Sequence, residues 1–488
     1  MQVSKTVKAK HIGFFLGPLL FTFILIFTSD ELIAPGANKV IALAAWMITW
    51  WILECAPVAV TALLPLAIFP ALGTLSITEA SIPYANPVVF LFMGGFMIAL
   101  ALEKHKLHER IAINLIRITG TSGNGIILGF TLASGLISMW ISNTATALMM
   151  LPIAISVIQL LRNPASESGE TLSKGERNFA LGLMLSIAYA ANIGGMGTII
   201  GTPPNVVFVG YARQIYNHDI SFLGWAMFGI PIALLMLLTC YILITRILFP
   251  NRIKSVEGSK QLITTKLLSL GKLKKEEKLV LIIFCLTSFF WIFQQVLNNI
   301  FEHALFNDTN IAVTGGLLMF LVPVNFLENK FLLVWEDTQK LPWGILILFG
   351  GGICLAKGME TTGIIKAIGD YISSQHNLPL WQLLLILIVT SVVLTEFMSN
   401  VALVTIIIPV VFGIADGLHY DPYVLGLPVT LAASCAFMFP ISTPPNAIVF
   451  ASGHIKMKDM MRAGALLNAA SILIILLLSL LVLKDLNI

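Results

Sequence analysis

Two short polar stretches lie in the middle of long apolar ones, and a chain can accommodate that arrangement in few ways. Ser142-Asn143-Thr144 follows Met139-Trp140-Ile141 and leads to Leu151-Pro152. Ser399-Asn400-Val401 follows Phe397-Met398 and leads to Ile408-Pro409. One offset, 257 residues, carries Ser142 to Ser399 and Pro152 to Pro409, which marks a duplication. Ser and Asn carry donors and acceptors that need partners in hydrocarbon. A single such patch can serve helix packing. Two at matched positions of a duplicated chain point to one shared site.

Composition sets the surroundings. The 488 residues are 57% hydrophobic and 11% charged, with mean hydropathy +0.91. So few charges cannot cover a soluble surface, and apolar runs of spanning length recur, so the fold class is an all-α polytopic membrane protein. The net charge of +4 sits in loops and forms no basic stripe, so no nucleic-acid partner is expected. Cys55, Cys240, Cys285, Cys354 and Cys435 lie in apolar stretches without CxxC spacing and read as packed thiols. The first apolar stretch, 12–28, follows Lys5, Lys8 and Lys10 and lacks a small-x-small cleavage site. It reads as a retained first helix rather than a signal peptide.

Eleven spans are expected, at 12–30, 38–54, 57–72, 86–103, 178–211, 222–249, 278–297, 311–327, 341–357, 423–452 and 463–484. The segments 122–161 and 378–415 hold the Ser-Asn stretches and read as two re-entrant hairpins. With the N-terminus inside, the basic stretches 5–10, 104–117, 162–177, 252–278, 330–340 and 456–462 share the inner face. Lys39, Arg213, Lys366 and Lys484 remain outside. A single crossing at either hairpin would put basic loops outside, so charge bias favours one hairpin opening inward and one outward.

The longest basic loop, 251–278, separates two halves that share further features. Leu91-Phe92-Met93-Gly94-Gly95 echoes Leu348-Phe349-Gly350-Gly351-Gly352. Each is followed by an amphipathic stretch, 103–118 and 357–374, that reads as an arm along the membrane surface. Ile200-Gly201-Thr202-Pro203-Pro204-Asn205 is matched by Ile441-Ser442-Thr443-Pro444-Pro445-Asn446. Five spans separate the matched starts of the halves, so the second half is inverted relative to the first, a hallmark of secondary transporters.

Thr-Pro-Pro-Asn cannot sit inside an unbroken helix, because each Pro removes a donor and clashes with the preceding turn. Each copy therefore reads as an unwound joint between two half-helices. Such backbone is tolerated at membrane depth only where protein buries it or it lines a wet cavity. A hairpin tip offers carbonyl oxygens from the helix that ends and N–H groups from the helix that begins. Helix N-termini attract anions, while carbonyls with Ser, Thr or Asn oxygens suit a hard cation such as sodium. Neither Ser-Asn segment nor Pro-Pro joint contains Arg, Lys or His. An anion there is held by neutral donors and dipoles, with co-bound cations offsetting its charge.

These paired tips and joints resemble the divalent anion/sodium symporter (DASS) family. So does Trp50-Trp51-Ile52-Leu53-Glu54-Cys55-Ala56-Pro57 leading to Thr61-Ala62-Leu63-Leu64-Pro65. The resemblance covers nearly the whole chain. It implies a membrane-embedded homodimer whose protomers each have a scaffold and a transport domain moving as an elevator. It implies a di- or tricarboxylate substrate such as succinate, or sulfate, with sodium as coupling ion and no cofactor. Residues 1–121 would be the first helix and scaffold part of the first repeat, and 122–250 its transport part. Residues 251–277 would be a cytoplasmic connector, 278–377 the second scaffold part and 378–488 the second transport part.

Carried over by position, substrate contacts are Ser142, Asn143, Thr144, Ser399, Asn400 and Val401, with Thr202, Pro203, Thr443 and Pro444 from the joints. One sodium site uses Ser138, Ser142, Asn143 and Gly201. The other uses Thr395, the Met398 carbonyl, Asn400 and the Ser442 carbonyl. Val401 departs from the pattern, since many relatives have Thr there, and the departure bears on substrate identity. The location implied is a plasma (inner) membrane with the N-terminus cytoplasmic.

Other readings compete. His105 and His108 stand at i, i+3 within reach of a metal, but no third ligand is near and a solvated arm is favoured. Gly195, Gly197 and Gly201 lack dinucleotide-loop spacing and read as allowing close approach beside the broken helix. Glu54 reads as a structural carboxylate near the membrane surface, and Glu396 carries no assigned role. A membrane-embedded enzyme would need a nucleophile with its base, or a metal cluster, at depth. The serines at the tips have no such base beside them in sequence, except Glu396. A purely scaffolding subunit leaves the matched tips unexplained. Within transport, the rivals are a sodium-independent dicarboxylate exchanger, a sulfate carrier and a proton-coupled carrier of the same fold.

Overall fold

The computed structural model describes residues 2–28, 35–161, 173–216, 219–301, 305–375 and 378–483. Arg162 and Lys484 lie outside these residues, as do the side chains of Lys5 and Lys8. The architecture is nearly all helical, and its breaks fall where Pro, Gly and capping residues dictate.

Helices α1 (Gln2–Phe27) and α2 (Ala37–Leu53) pack against each other. The span expected at 57–72 is two pieces, α3 (Val58–Thr61) and α4 (Leu64–Ala71). Pro57 opens the first and Pro65 sits at the start of the second, as a residue without a donor prefers. Ser76 and Glu79 form a capping box on the short α5 (Ile77–Ser81). Asn86 caps α6 (Pro87–Lys104) by accepting from the Val88 N–H at 2.9 Å. Lys106 has a left-handed φ of 57° and turns the chain into α7 (Leu107–Ile118), the first arm.

The first Ser-Asn segment folds as α8 (Gly123–Ser138) and α9 (Asn143–Gln159), with the polar stretch at the turn between them. Next, α10 (Lys174–Gly195) stops, a single 3-10 turn covers Ile199–Gly201, and α11 (Pro203–Tyr216) begins at the Pro pair. Helix α12 (Phe222–Ile242) ends in a π-helical turn, Leu243–Leu248.

The stretch expected as a long loop contains a helix, α13 (Ser259–Ser269). It is strapped to the hairpin base: Gly123 N–H donates to the Ile253 carbonyl at 3.0 Å and Val256 N–H to that of Thr121 at 2.9 Å. Arg110 on the arm forks to Glu277 at 2.9 and 3.1 Å and to the Leu270 and Gly271 carbonyls. These partners order a segment whose composition alone suggested none.

Helices α14 (Lys275–Ile300) and α15 (Asp308–Leu321) follow. The span expected at 311–327 ends early. Pro323 cannot continue it, and two short antiparallel strands, β1 (Pro323–Asn325) and β2 (Lys330–Phe331), qualify the all-α expectation. Helix α16 (Trp343–Thr361) leads to the second arm, α17 (Ile364–Gln375). The second hairpin is α18 (Leu380–Thr395) and α19 (Asn400–Gly417). Then α20 (Pro422–Ala433) and α21 (Pro444–Ala451) flank an unwound stretch, 434–443, before α22 (Met457–Leu478).

Among the described residues, eight helical stretches are long and apolar enough to cross a membrane, and one of them is α19. Several expected spans, including α2, α15 and α20, are shorter. Basic segments expected on one face do meet. Lys104 pairs with Asp337 at 2.6 Å, Lys330 with Glu276 at 2.9 Å and Arg177 with Asp459 at 3.8 Å.

Glycines let matched helices approach closely. A Cβ on Gly94 would strike the Ala312 backbone on α15, and one on Gly351 would strike the Ala62 backbone beside α3. Each hairpin packs on the first half-helix of its own joint: α8 and α9 on α10, α18 and α19 on α20. Each also crosses to the other half: α9 lies on α21 and α19 on α11. All four motifs are thereby drawn into one cluster.

Candidate substrate and cation site

The tips are built alike. Ser138 Oγ, at the end of α8, donates to Asn143 Oδ1, at the start of α9, at 2.6 Å. The residues 257 further on repeat the contact: Thr395 Oγ1 lies 2.8 Å from Asn400 Oδ1, its one proton shared with the Ala433 carbonyl at 2.5 Å. A hydroxyl at one helix's end thus fixes the carboxamide that opens the next. The hydroxyl can turn its proton away and offer a lone pair, so each tip presents two hard oxygens together.

The joints are also built alike. Asn205 Nδ2 donates to the Gly195 and Thr198 carbonyls at 3.1 and 2.8 Å. Asn446 Nδ2 donates to the Ala436 and Phe439 carbonyls at 3.0 and 3.1 Å. Each Asn after the Pro pair satisfies carbonyls that lost their helical partners when the helix stopped. The last residue of each Thr-Pro-Pro-Asn therefore holds the backbone open in a defined shape.

Tip and joint converge in the first half. A Cβ built on Gly195 would sit 2.7 Å from Asn143 Oδ1 and 3.1 Å from both the Gly201 carbonyl oxygen and Thr202 Cβ. The expected close approach at these glycines is therefore real, and three of the four residues in the first expected sodium set lie together. Ser142, the fourth, caps α9 by accepting from Ala145 N–H at 3.2 Å. Its counterpart Ser399 makes no cap. Ser142 and Pro444 are exposed, Asn143, Thr144, Pro203, Ser399, Asn400 and Val401 are half-buried, and Ser138, Thr202, Thr395 and Thr443 are buried. The groups thus range from exposed to buried.

The halves meet at this point. Asn192 Nδ2, on α10, donates to Thr443 Oγ1 at 3.0 Å, and its Oδ1 is buried without a partner among the described residues. Tyr211 OH donates to the Thr405 carbonyl at 2.9 Å, tying α11 to α19. Val401 packs among apolar side chains, and its carbonyl accepts from Thr405 Oγ1 at 2.8 Å. Met398 is half-buried among the same groups.

Sequence reasoning left Glu396 without a role, and the structure gives it partners on every side. The side chain is 2% exposed. Its Oε1 accepts from Phe437 N–H at 2.8 Å, Met438 N–H at 2.9 Å and Asn468 Nδ2 at 2.7 Å. Its Oε2 accepts from Met438 N–H at 3.1 Å, Phe439 N–H at 3.3 Å and Ser442 Oγ at 2.8 Å. Asn192 and Asn468 were missed outright; a carboxamide inside an apolar helix was the available signal.

Other candidates resolve plainly. Lys106 breaks the helix between the two histidines, so they share no helical face. His105 Nε2 meets the Leu332 carbonyl and His108 Nδ1 that of Leu102, each at 2.9 Å. Glu54 is exposed and pairs with Lys10 at 3.2 Å, so an ion pair supplies its partner. Cys240, Cys354 and Cys435 are buried and Cys55 half-buried, but Cys285, on α14, is exposed rather than packed.

A family model described as the sodium:sulfate symporter transmembrane region matches residues 8–486. The chain belongs to this family of divalent anion/sodium symporters. The sodium-dependent dicarboxylate transporter SdcS of Staphylococcus saprophyticus is 39% identical over 472 residues, 96% of this chain and 90% of the relative. SdcS of Staphylococcus aureus is 38% identical over 482 residues, 97% of this chain and 92% of the relative. Two solved transporters share the fold. The Alcanivorax borkumensis YdaH transporter has a TM-score of 0.60 at 14% identity, covering 86% of this chain and 90% of that one. Neisseria gonorrhoeae MtrF has a TM-score of 0.58 at 12% identity, covering 98% and 96%. Like other symporters of the family, the protein is an integral membrane protein.

Proposed function

We propose that the protein is a sodium-coupled secondary transporter of dicarboxylates such as succinate, or of tricarboxylates. The observation that carries this reading is the repeated tip: a hydroxyl bonded to a carboxamide oxygen at Ser138–Asn143 and again at Thr395–Asn400. Relatives spanning nearly the whole chain bear the name sodium-dependent dicarboxylate transporter, which supports it.

One sodium ion takes Ser138, Ser142, Asn143 and Gly201. The other takes Thr395, Asn400 and the carbonyls of Met398 and Ser442. The substrate carboxylates meet Ser142, Asn143, Thr144, Ser399 and Asn400, with Thr202, Pro203, Thr443 and Pro444 at the joints and Val401 as an apolar wall. Two sodium ions beside a divalent anion make a neutral cluster, and a neutral cluster costs far less to move through a low-dielectric protein.

The chain then forms eleven spans and two re-entrant hairpins in an inverted repeat, inserted in the plasma (inner) membrane with the N-terminus cytoplasmic. Residues 122–250 and 378–488 move as a transport domain against a scaffold of 1–121 and 278–377, with 251–277 connecting them, in a homodimer. The crossed packing of α9 on α21 and α19 on α11 supports treating both transport parts as one body. Uptake of labelled succinate into proteoliposomes tests the reading: it is expected with an inward sodium gradient and absent with potassium in its place. Uptake that ignores sodium but needs internal dicarboxylate would replace it with an exchanger.

A further inference from the structure

The two tips are alike in their hydroxyl–carboxamide pairs and unlike one residue further on. The residue after Thr395 is Glu396, and the residue after Ser138 is Met139. Both backbone carbonyls face a hydroxyl from their own joint: Thr198 donates to Met139, and the one Ser442 proton is shared between the Glu396 carbonyl at 3.1 Å and the Glu396 carboxylate at 2.8 Å. Only the second tip adds a side chain to that tie. Its carboxylate accepts from three consecutive backbone N–H groups, 437–439, and from Ser442 and Asn468.

Those three N–H groups belong to the stretch 434–443, where the chain is unwound and has no helical acceptors to offer them. A buried carboxylate is retained at low cost only when its oxygens are satisfied, and charge-assisted bonds are about twice as strong as neutral ones. No Lys or Arg is bonded to Glu396 among the described residues; backbone dipoles, a hydroxyl and a carboxamide hold its charge. Asn468 reaches it from α22, so the last helix, the hairpin tip and the joint share one anchor.

We propose that Glu396 is a positioning residue that presets the second cation site and makes the two sites unequal. This rests on the sodium-coupled reading above. Glu396 fixes Ser442, whose carbonyl belongs to that site, relative to Thr395 and Asn400 on the hairpin. The first site has Met139 at the corresponding place and depends on the close approach of Gly195 and Gly201 instead. The second site therefore holds its shape before an ion arrives, and its sodium affinity depends on Glu396 and Asn468 without either touching substrate.

The test is sodium-driven succinate uptake in proteoliposomes by wild type, Glu396→Gln and Asn468→Ala. Glu396→Gln turns an NH2 group toward some of the donors, and the sodium concentration for half-maximal uptake should rise by about tenfold. Succinate KM at saturating sodium should stay within about twofold, since no substrate contact is removed. Asn468→Ala leaves the charge and removes one donor, so it should shift sodium dependence the same way by about threefold; it carries the test if Glu396→Gln does not fold. A sodium-dependent wild type with an unshifted variant, or with only succinate KM changed, overturns the inference alone. A wild type that ignores sodium overturns the transport reading and this inference with it.

Discussion

Asn192 Nδ2 donates to Thr443 Oγ1 at 3.0 Å, a bond between the first half's broken helix and the second half's joint. The position in the second half that corresponds to Asn192 is Ala433, so the bridge is made once. Its Oδ1 has no hydrogen-bond partner among the described residues, although buried acceptors normally find one. The bridge holds Thr443, a proposed substrate contact, by a residue outside the recognisable motifs.

Asn192→Ala should therefore raise the substrate KM by about five- to tenfold, the loss expected for one buried hydrogen bond at a binding group. Uptake kinetics over a range of succinate concentrations at saturating sodium check this. An unchanged KM would make the bridge a packing contact only.

Ser138→Ala and Thr395→Val remove the hydroxyl from one tip each and leave volume nearly unchanged. Each should weaken sodium activation by about tenfold, near 1.4 kcal/mol, and should do so separately. The sodium dependence of uptake measures both. Identical kinetics in variant and wild type would exclude these oxygens as ion ligands.

Gly195→Ala should be more severe. The added methyl would stand 2.7 Å from Asn143 Oδ1 and 3.1 Å from the Gly201 oxygen, inside the proposed first cation site. Sodium-driven uptake should fall by at least about a hundredfold, since one extra methyl in a packed site costs 1–3 kcal/mol and here also displaces an ion ligand. Uptake per amount of reconstituted protein is the measurement; near-normal sodium dependence would contradict the placement of that site.

Val401→Thr adds a hydroxyl at the tip position where the first half carries Thr144. Val401 is half-buried at the second tip, and a Thr of similar shape can donate to a carboxylate there. Succinate KM should fall by about two- to tenfold. Competition between succinate and sulfate before and after the change checks the direction.

Much of the fold was legible because Pro and Ser-Asn in apolar sequence leave little choice. Pro203-Pro204 and Pro444-Pro445 mark the joints, and α11 and α21 begin there. The offset placed Asn143 and Asn400, the family resemblance added Ser138 and Thr395, and the hydrogen bonds of the two pairs repeat at the same offset. What stayed hidden depends on tertiary partners. Helix α13 has weak periodicity and is ordered by straps to Thr121, Gly123 and Arg110. The role of Glu396 depends on N–H groups 41–43 positions away in the chain, which no local pattern reveals.

The central claim is that the repeated tips bind sodium and a dicarboxylate together. The most direct measurement is labelled succinate uptake into proteoliposomes, with and without an inward sodium gradient, by wild type and Asn143→Ala. The account predicts gradient-driven accumulation by wild type and its loss in Asn143→Ala, which removes both the Ser138 partner and a shared ion and substrate ligand. Asn143→Ala accumulating succinate like wild type would contradict it.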